Sequence, residues 1–152
     1  MKVLYPGSFD PFTIGHLDIV KRCLDIFDNI VIGIGYNEKK QCTWSVETRL
    51  KAIDSIFKNN PRVEVKQYCG LTVDFAKKEG IKAMVRGVRN ATDYEYEKNI
   101  ADVNKEISGI DTILLFAKPE LSIVSGTMLR ELMHNGYDIR KYLGADFPLP
   151  SK

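Results

Sequence analysis

The amino-acid sequence predicts an α/β protein with a single-domain, Rossmann-like fold, in which a five-stranded parallel sheet carries helices on both faces. Three observations lead there. Short apolar runs alternate with stretches of helical periodicity along the chain. The run Ile30 to Tyr36 (IVIGIGY) is apolar on both sides, and no repeat, linker or low-complexity segment interrupts the pattern. Alternating strands and helices give parallel pairs joined by right-handed crossovers. A strand apolar on both faces belongs to a sheet covered above and below. With 152 residues, 44% hydrophobic and 28% charged, the chain suits one compact core.

Taken in order, Val3 to Tyr5 form a first strand ended by Pro6-Gly7, and from Thr13 the residues Leu17, Val20, Leu24 and Phe27 recur at helical spacing. Ile30 to Tyr36 is the second strand and the polar NEKKQ stretch the loop after it. Val46, Leu50, Ile53 and Phe57 mark a helix capped by Ser45 and stopped by Asn59-Asn60-Pro61. Val63 to Gln67 is the third strand, Leu71 to Glu79 a helix closed by Gly80, and Ile81 to Arg86 the fourth strand. A long helix follows, with Tyr96, Ile100, Val103 and Ile107 on one face and Gly109 at its end. Thr112 to Phe116 supply the fifth strand, and a last helix runs from about Ser125 to Asn135.

Lys and Arg number 22 against 20 for Asp and Glu, a net charge of +2. Such a balance excludes a chain-wide basic surface for nucleic acid and makes any phosphate site local. Cys23, Cys42 and Cys69 are odd in number, far apart and form no CxxC pair, which points to a reducing cytoplasm and away from a zinc site or redox centre. MKVLYPGSFD breaks too early for a signal-peptide core, and no apolar run approaches the roughly 20 residues of a membrane helix. A soluble protein with no membrane partner is expected.

Ligands of open parallel sheets sit beyond the carboxyl ends of the strands, which selects Gly7 to His16, Asn37 to Thr43, Cys69 to Thr72, Arg86 to Asn90 and Lys118 to Thr127. In GSFDPFTIGH, Gly7 permits close backbone approach, Ser8 offers a hydroxyl, and Gly15 leaves space beside His16. With Thr13 as N-cap, His16 falls at the third helical position, flanking the free N–H groups. Arg86 and Arg89 in RGVRN leave a strand where two guanidinium groups suit a polyanion. A Lys-Lys pair such as that containing Lys40 is ordinarily solvated, and only its place at the sheet's edge raises it. SIVSGT, residues 122 to 127, opens the last helix with small residues whose N–H groups and hydroxyls can seat outer phosphates, although a bare capping turn would account for it equally.

These segments together carry a resemblance. YPGSFDPFTIGH, the KK pair, RGVRNATDYEYE and the turn VSGT closely resemble bacterial phosphopantetheine adenylyltransferases over essentially the whole chain. The resemblance implies transfer of AMP from ATP to 4′-phosphopantetheine, giving dephospho-coenzyme A and pyrophosphate. It further implies Mg2+ carried on ATP, inhibition by coenzyme A and a homohexamer. By matching motif, it implies ATP contacts at Ser8, Phe9, His16, Gly87, Val88, Arg89, Glu97, Leu121, Ser122, Ile123, Val124, Ser125, Gly126 and Thr127. Acceptor contacts are implied at Ser8, Lys40, Thr72 and Arg86, and His16, Lys40 and Arg89 form the expected catalytic set. Two features depart from the family pattern: Gly126 stands where serine is usual, and the tail after Tyr142 is short and contains proline.

A phosphate monoester acceptor has a second pKa of about 6 and is already an anionic nucleophile near neutral pH. The expected mechanism is therefore direct in-line attack on the α-phosphorus without a general base, with His16, Lys40 and Arg89 converging on one phosphate cluster in one cavity. Two other readings stay open. One is a nicotinamide or nicotinate mononucleotide adenylyltransferase, whose final-helix motif is similar to SGTMLR. The other is a catalytically silent nucleotide-binding subunit.

Overall fold

A computed structural model describes residues 1–150, so Ser151 and Lys152 at the end of the predicted domain lie outside the described residues. The chain runs β1 (Lys2–Gly7), α1 (Ile14–Ile26), β2 (Asn29–Tyr36), α2 (Val46–Phe57), β3 (Val63–Cys69), α3 (Thr72–Lys78), β4 (Ala83–Val88), α4 (Ala91–Ser108), β5 (Asp111–Phe116) and α5 (Gly126–His134). Two short 3-10 turns, Pro119–Leu121 and Arg140–Tyr142, follow β5 and α5.

The five strands form one sheet in the order β3-β2-β1-β4-β5, with every adjacent pair parallel. Successive residues of β1 serve opposite faces, as the pleat requires. Val3 and Tyr5 join a core with Val20 and Cys23 of α1, Ile53 and Phe57 of α2 and Leu129 of α5, whereas Leu4 packs with Val73 and Ala76 of α3. The chain leaves β1 towards one edge of the sheet and returns to β4 on its other side. Such a reversal opens a crevice at the carboxyl ends of β1 and β4.

Most caps follow the sequence. Thr13, Ser45, Asn90 and Ser125 each accept the N–H three residues on, opening α1, α2, α4 and α5. The fourth strand starts two residues later than its apolar run suggests, because Ile81 is a buried residue of the turn after Gly80 and not part of the ladder.

The larger difference lies on α4. The face carrying Tyr96, Ile100, Val103 and Ile107 is exposed, by 63%, 38%, 58% and 54% respectively. The sheet-facing side is instead Asp93, Glu97, Ala101, Asn104 and Ser108. Periodicity reported an apolar stripe correctly but not what covers it. Of the opposite stripe, Asp93, Glu97, Ala101 and Asn104 line the cavities of the site described below.

Candidate active site

Two cavities open at the crevice between β1 and β4. The first, about 270 Å³, is walled by the turn after β1, the start of α1, the β4 exit and the start of α5. It holds His16, Arg86, Arg89, Arg130 and the backbone of Ser125 to Thr127. The second, about 250 Å³, lies between α4 and the sheet and is lined by Tyr68, Thr72, Tyr96, Ile100, Asn104 and Thr112, among others. Pro6, Gly7, Ser8, Arg86 and Glu97 line both. Each cavity alone is below the usual small-molecule range of roughly 300 to 1,000 Å³, and joined they enter it.

His16 is held by an unusual capping box. The Thr13 N–H donates to His16 Nδ1 at 2.9 Å, while the Thr13 hydroxyl accepts the His16 N–H at 3.2 Å. An Nδ1 that accepts a hydrogen bond carries no proton, so the neutral ring presents Nε2–H as a donor. Its ring sits 5.0 Å from Phe9 and 5.5 Å from Phe12. Burial first, then the nearby Arg86 and Arg89 charges, push its pKa down to about 3. The imidazole therefore works near neutral pH as an uncharged donor beside guanidinium groups.

Phe9 lines the first cavity, where the resemblance puts it, and also has a structural part. Its backbone is left-handed (φ 50) and its side chain is 2% exposed, packed 5.2 Å from Tyr5. It builds the wall behind His16, and a bulky residue in this backbone region is strained. Gly7 makes that possible, since a Cβ there would stand 3.0 Å from the Phe9 ring. The glycine expected to admit a ligand thus admits this ring.

Arg86 is anchored on three sides. Nε and Nη2 donate to the two Glu97 oxygens at 2.9 and 2.7 Å, and Nη1 donates to the Pro6 carbonyl. Burial works against its charge, but the Glu97 carboxylate raises its pKa above the ordinary guanidinium value, with smaller help from Tyr5 and Tyr68. Glu97, expected as an ATP contact, is 6% exposed and spends both oxygens on Arg86. Arg89 is similarly steadied by Asp93, at 2.9 Å from Nε.

At the opposite wall, the Ser125 hydroxyl caps α5 through Met128 N–H. The first-turn N–H groups of Gly126 and Thr127 precede the helix's own hydrogen-bond ladder, and both residues line the first cavity, an arrangement that suits an anion. Leu121 and Val124 line this cavity too, as do Gly87 and Val88. Ser122 and Ile123 are not among its lining residues: the Ser122 hydroxyl turns to the Pro119 carbonyl at 2.8 Å, and Ile123 is 67% exposed.

Lys40 is also a correction. It lines a separate cavity with Asn37, Glu38, Cys42 and Gln67 and does not share that of His16 and Arg89. Its loop folds back on itself, Lys40 N–H donating to the Asn37 carbonyl at 2.9 Å. Thr72, Ser8 and Arg86, the other expected acceptor residues, do meet in the second cavity.

Several lining residues escaped the sequence reading. Arg130, four residues after Gly126 and so on the same side of α5, donates to the Asp10 carbonyl at 2.7 Å and to the Thr127 hydroxyl at 3.1 Å. Helical spacing within SGTMLR was the available signal. Asp10 is 6% exposed and accepts the Thr43 and Trp44 N–H groups at 2.8 and 2.9 Å. Arg49, 2% exposed, donates to the Ser8 carbonyl at 2.6 Å. Together they fasten the loop after β2 to the turn after β1. Tyr68, Asn104 and Thr112 come together only through the fold.

Among the described residues, no three His, Cys, Asp or Glu side chains gather into a metal-binding group, and no helix is long and apolar enough to cross a membrane.

The family model described as cytidylyltransferase-like matches residues 4–132. A phosphopantetheine adenylyltransferase of Phocaeicola vulgatus is 47% identical over 142 residues, covering 93% of this chain and 94% of that protein. One from Porphyromonas gingivalis is 45% identical over 146 residues, covering 96% and 95%. Among solved structures, a bifunctional NMN adenylyltransferase/ADP ribose pyrophosphatase from Francisella tularensis matches with TM-score 0.70 at 18% identity, over 93% of this chain. The chain spans 44% of that bifunctional protein's length, and the likeness is one of fold. By the match over residues 4–132 and identity over nearly the whole length of both chains, the chain belongs to the cytidylyltransferase-like family and, within it, to the phosphopantetheine adenylyltransferases.

Proposed function

We propose that the chain transfers AMP from ATP to 4′-phosphopantetheine, releasing pyrophosphate, with the nucleotide in the first cavity and the acceptor arm in the second. The observation that carries this is their meeting at Ser8, Arg86 and Glu97. Three guanidinium groups and an open helix N-terminus suit a triphosphate. The second cavity offers two tyrosines, an isoleucine, an asparagine amide and two threonine hydroxyls, a lining suited to a slender arm that is part apolar and part amide.

Chemistry follows from the charge layout. An acceptor phosphate oxygen attacks the α-phosphorus, the new P–O bond forms as the bond to the β-phosphate oxygen breaks, and pyrophosphate leaves with the electron pair. Nε2–H of His16 donates to an α-phosphate oxygen as charge builds there, while Arg89, Arg130 and the α5 N-terminus hold the outer phosphates. Arg86, oriented by Glu97, faces the acceptor phosphate. Magnesium on the triphosphate supplies charge neutralisation, and water-rich coordination of this ion needs no dedicated protein cage.

Three further expectations belong to the same reading. Coenzyme A contains both the nucleotide and the arm, so it fits the joined crevice as an inhibitor. The exposed stripe Tyr96, Ile100, Val103 and Ile107 supports association between copies of the chain, with six copies implied by resemblance. Its free thiols Cys23, Cys42 and Cys69 are in keeping with the cytoplasm.

Incubation with α-phosphorus-labelled ATP, Mg2+ and a panel of acceptors tests the proposal. Label is expected in dephospho-coenzyme A. Label in a dinucleotide formed from nicotinamide mononucleotide instead, or no transfer to any acceptor, refutes it.

A further inference from the structure

The residues after α5 form a strap across the turn that holds His16. Leu143 pairs with Thr13 in an antiparallel bridge, and the Gly144 N–H donates to the Phe12 carbonyl at 2.9 Å. The strap is fastened on both sides: Ile139 is 1% exposed, and Ala145 and Phe147 are buried in the main core. Further along, the Trp44 indole N–H donates to the Pro148 carbonyl at 2.8 Å, and the Trp44 and Phe147 rings lie 5.0 Å apart. Ten residues of tail thus grip both the turn after β1 and the loop after β2.

Gly144 is the closest point of that grip. A Cβ there would stand 2.8 Å from the Thr13 carbonyl carbon and 2.9 Å from Phe12 Cδ1, and nearer still to the Thr13 carbonyl oxygen. Its backbone does not adopt a positive φ, so glycine is needed for space alone. Thr13 is 2% exposed and has no free side to retreat to. Its N–H is the donor that fixes His16 Nδ1 and hence the ring's orientation and tautomer.

We infer that the strap from Leu143 to Pro148 positions His16 through Thr13, with Gly144 as its positioning residue. No residue of the strap lines either cavity of the site. It presses the N-cap into the one location where the Thr13 N–H meets Nδ1 and Nε2–H is left for the cavity. The rate arm of the test rests on the adenylyl-transfer reading; the spectroscopic arm does not.

Two full-length variants test it. Gly144→Ala should lower kcat by between about tenfold and a hundredfold, the penalty for displacing an aligned group by up to about an ångström, while KM for ATP stays within about twofold of the parent. The chain has two histidines, His16 and His134, so imidazole nitrogen NMR resolves them. The parent's His16 should show one tautomer with Nδ1 unprotonated, and in Gly144→Ala that signature should move towards an average of both tautomers. Trp44→Phe keeps an aromatic ring beside Phe147, smaller than the indole, and removes the bond to Pro148, so it should shift the same signals by less. It decides the matter should Gly144→Ala fail to fold. Parent-like His16 spectra in the folded variants overturn the inference, as does an unchanged kcat beside an active parent. A parent that transfers no AMP counts against the function and leaves the spectral arm to judge the strap.

Discussion

Replacing Glu97 by Gln separates two meanings of one residue. Family resemblance makes Glu97 an ATP contact, whereas its geometry makes it the holder of Arg86: both oxygens are engaged, at 2.9 and 2.7 Å, and the residue is 6% exposed. Glutamine preserves shape but turns one acceptor into an NH2 donor facing a guanidinium N–H. Breaking a buried pair costs about 3 to 5 kcal/mol. The Arg86 side chain is 32% exposed, so water softens the loss, and roughly 2 to 3 kcal/mol is appropriate, in line with charge-assisted hydrogen bonds. Thermal unfolding should then fall by about 4 to 12 °C, at roughly 2 to 4 °C per kcal/mol for a chain of this size. A loosened Arg86 should raise KM for 4′-phosphopantetheine and lower kcat, together reducing kcat/KM for the acceptor by about thirtyfold, the equivalent of about 2 kcal/mol. KM for ATP should change by less than about threefold. The reasoning is refuted if ATP saturation suffers while acceptor saturation and stability do not.

Three more predictions concern single groups. His16→Ala should lower kcat by about a hundredfold to a thousandfold, the usual loss for one preorganised donor, with ATP dissociation nearly unchanged by calorimetry; a full-rate variant would remove His16 from the chemistry. Because the His16 pKa is pushed down to about 3 from 6.5, the unfolded chain takes up a proton between those values that the folded chain refuses, so stability falls as pH falls through that window. Urea midpoints should drop less steeply on acidification in His16→Gln than in the parent, and equal slopes would contradict a neutral ring. Lys40→Ala should leave both KM values within about twofold of the parent, since its side chain lines a separate cavity; a raised acceptor KM would return Lys40 to the site.

How far the sequence reveals this molecule depends on how local each signal is. Element type was legible throughout, because strand and helix periods and the caps at Thr13, Ser45 and Ser125 are carried by neighbouring residues. The His16 position followed from the same local logic, Thr13 as N-cap placing it at the third helical residue. What was not legible depends on partners distant in sequence. Nothing near Phe9 says that its ring lies against Tyr5 and Gly7. Nothing near Lys40 says that Asp10 pins the end of its loop. The α4 stripe was legible as a shared face for the same local reason, but that this face is the exposed one was not. Glu97 and Arg86, eleven residues apart across a turn, become a pair only when α4 lies back over β4.

The most direct test of two substrates meeting at Arg86 is a crystal structure with 4′-phosphopantetheine and an ATP analogue that cannot be cleaved between its α- and β-phosphates. The triphosphate is predicted between His16, Arg89 and the start of α5, the arm between Tyr68, Thr72 and Asn104, and the acceptor phosphate beside Arg86 in line with the bond to be broken. Both ligands crowded into one cavity, or the arm seated in the separate cavity of Lys40, would contradict the account.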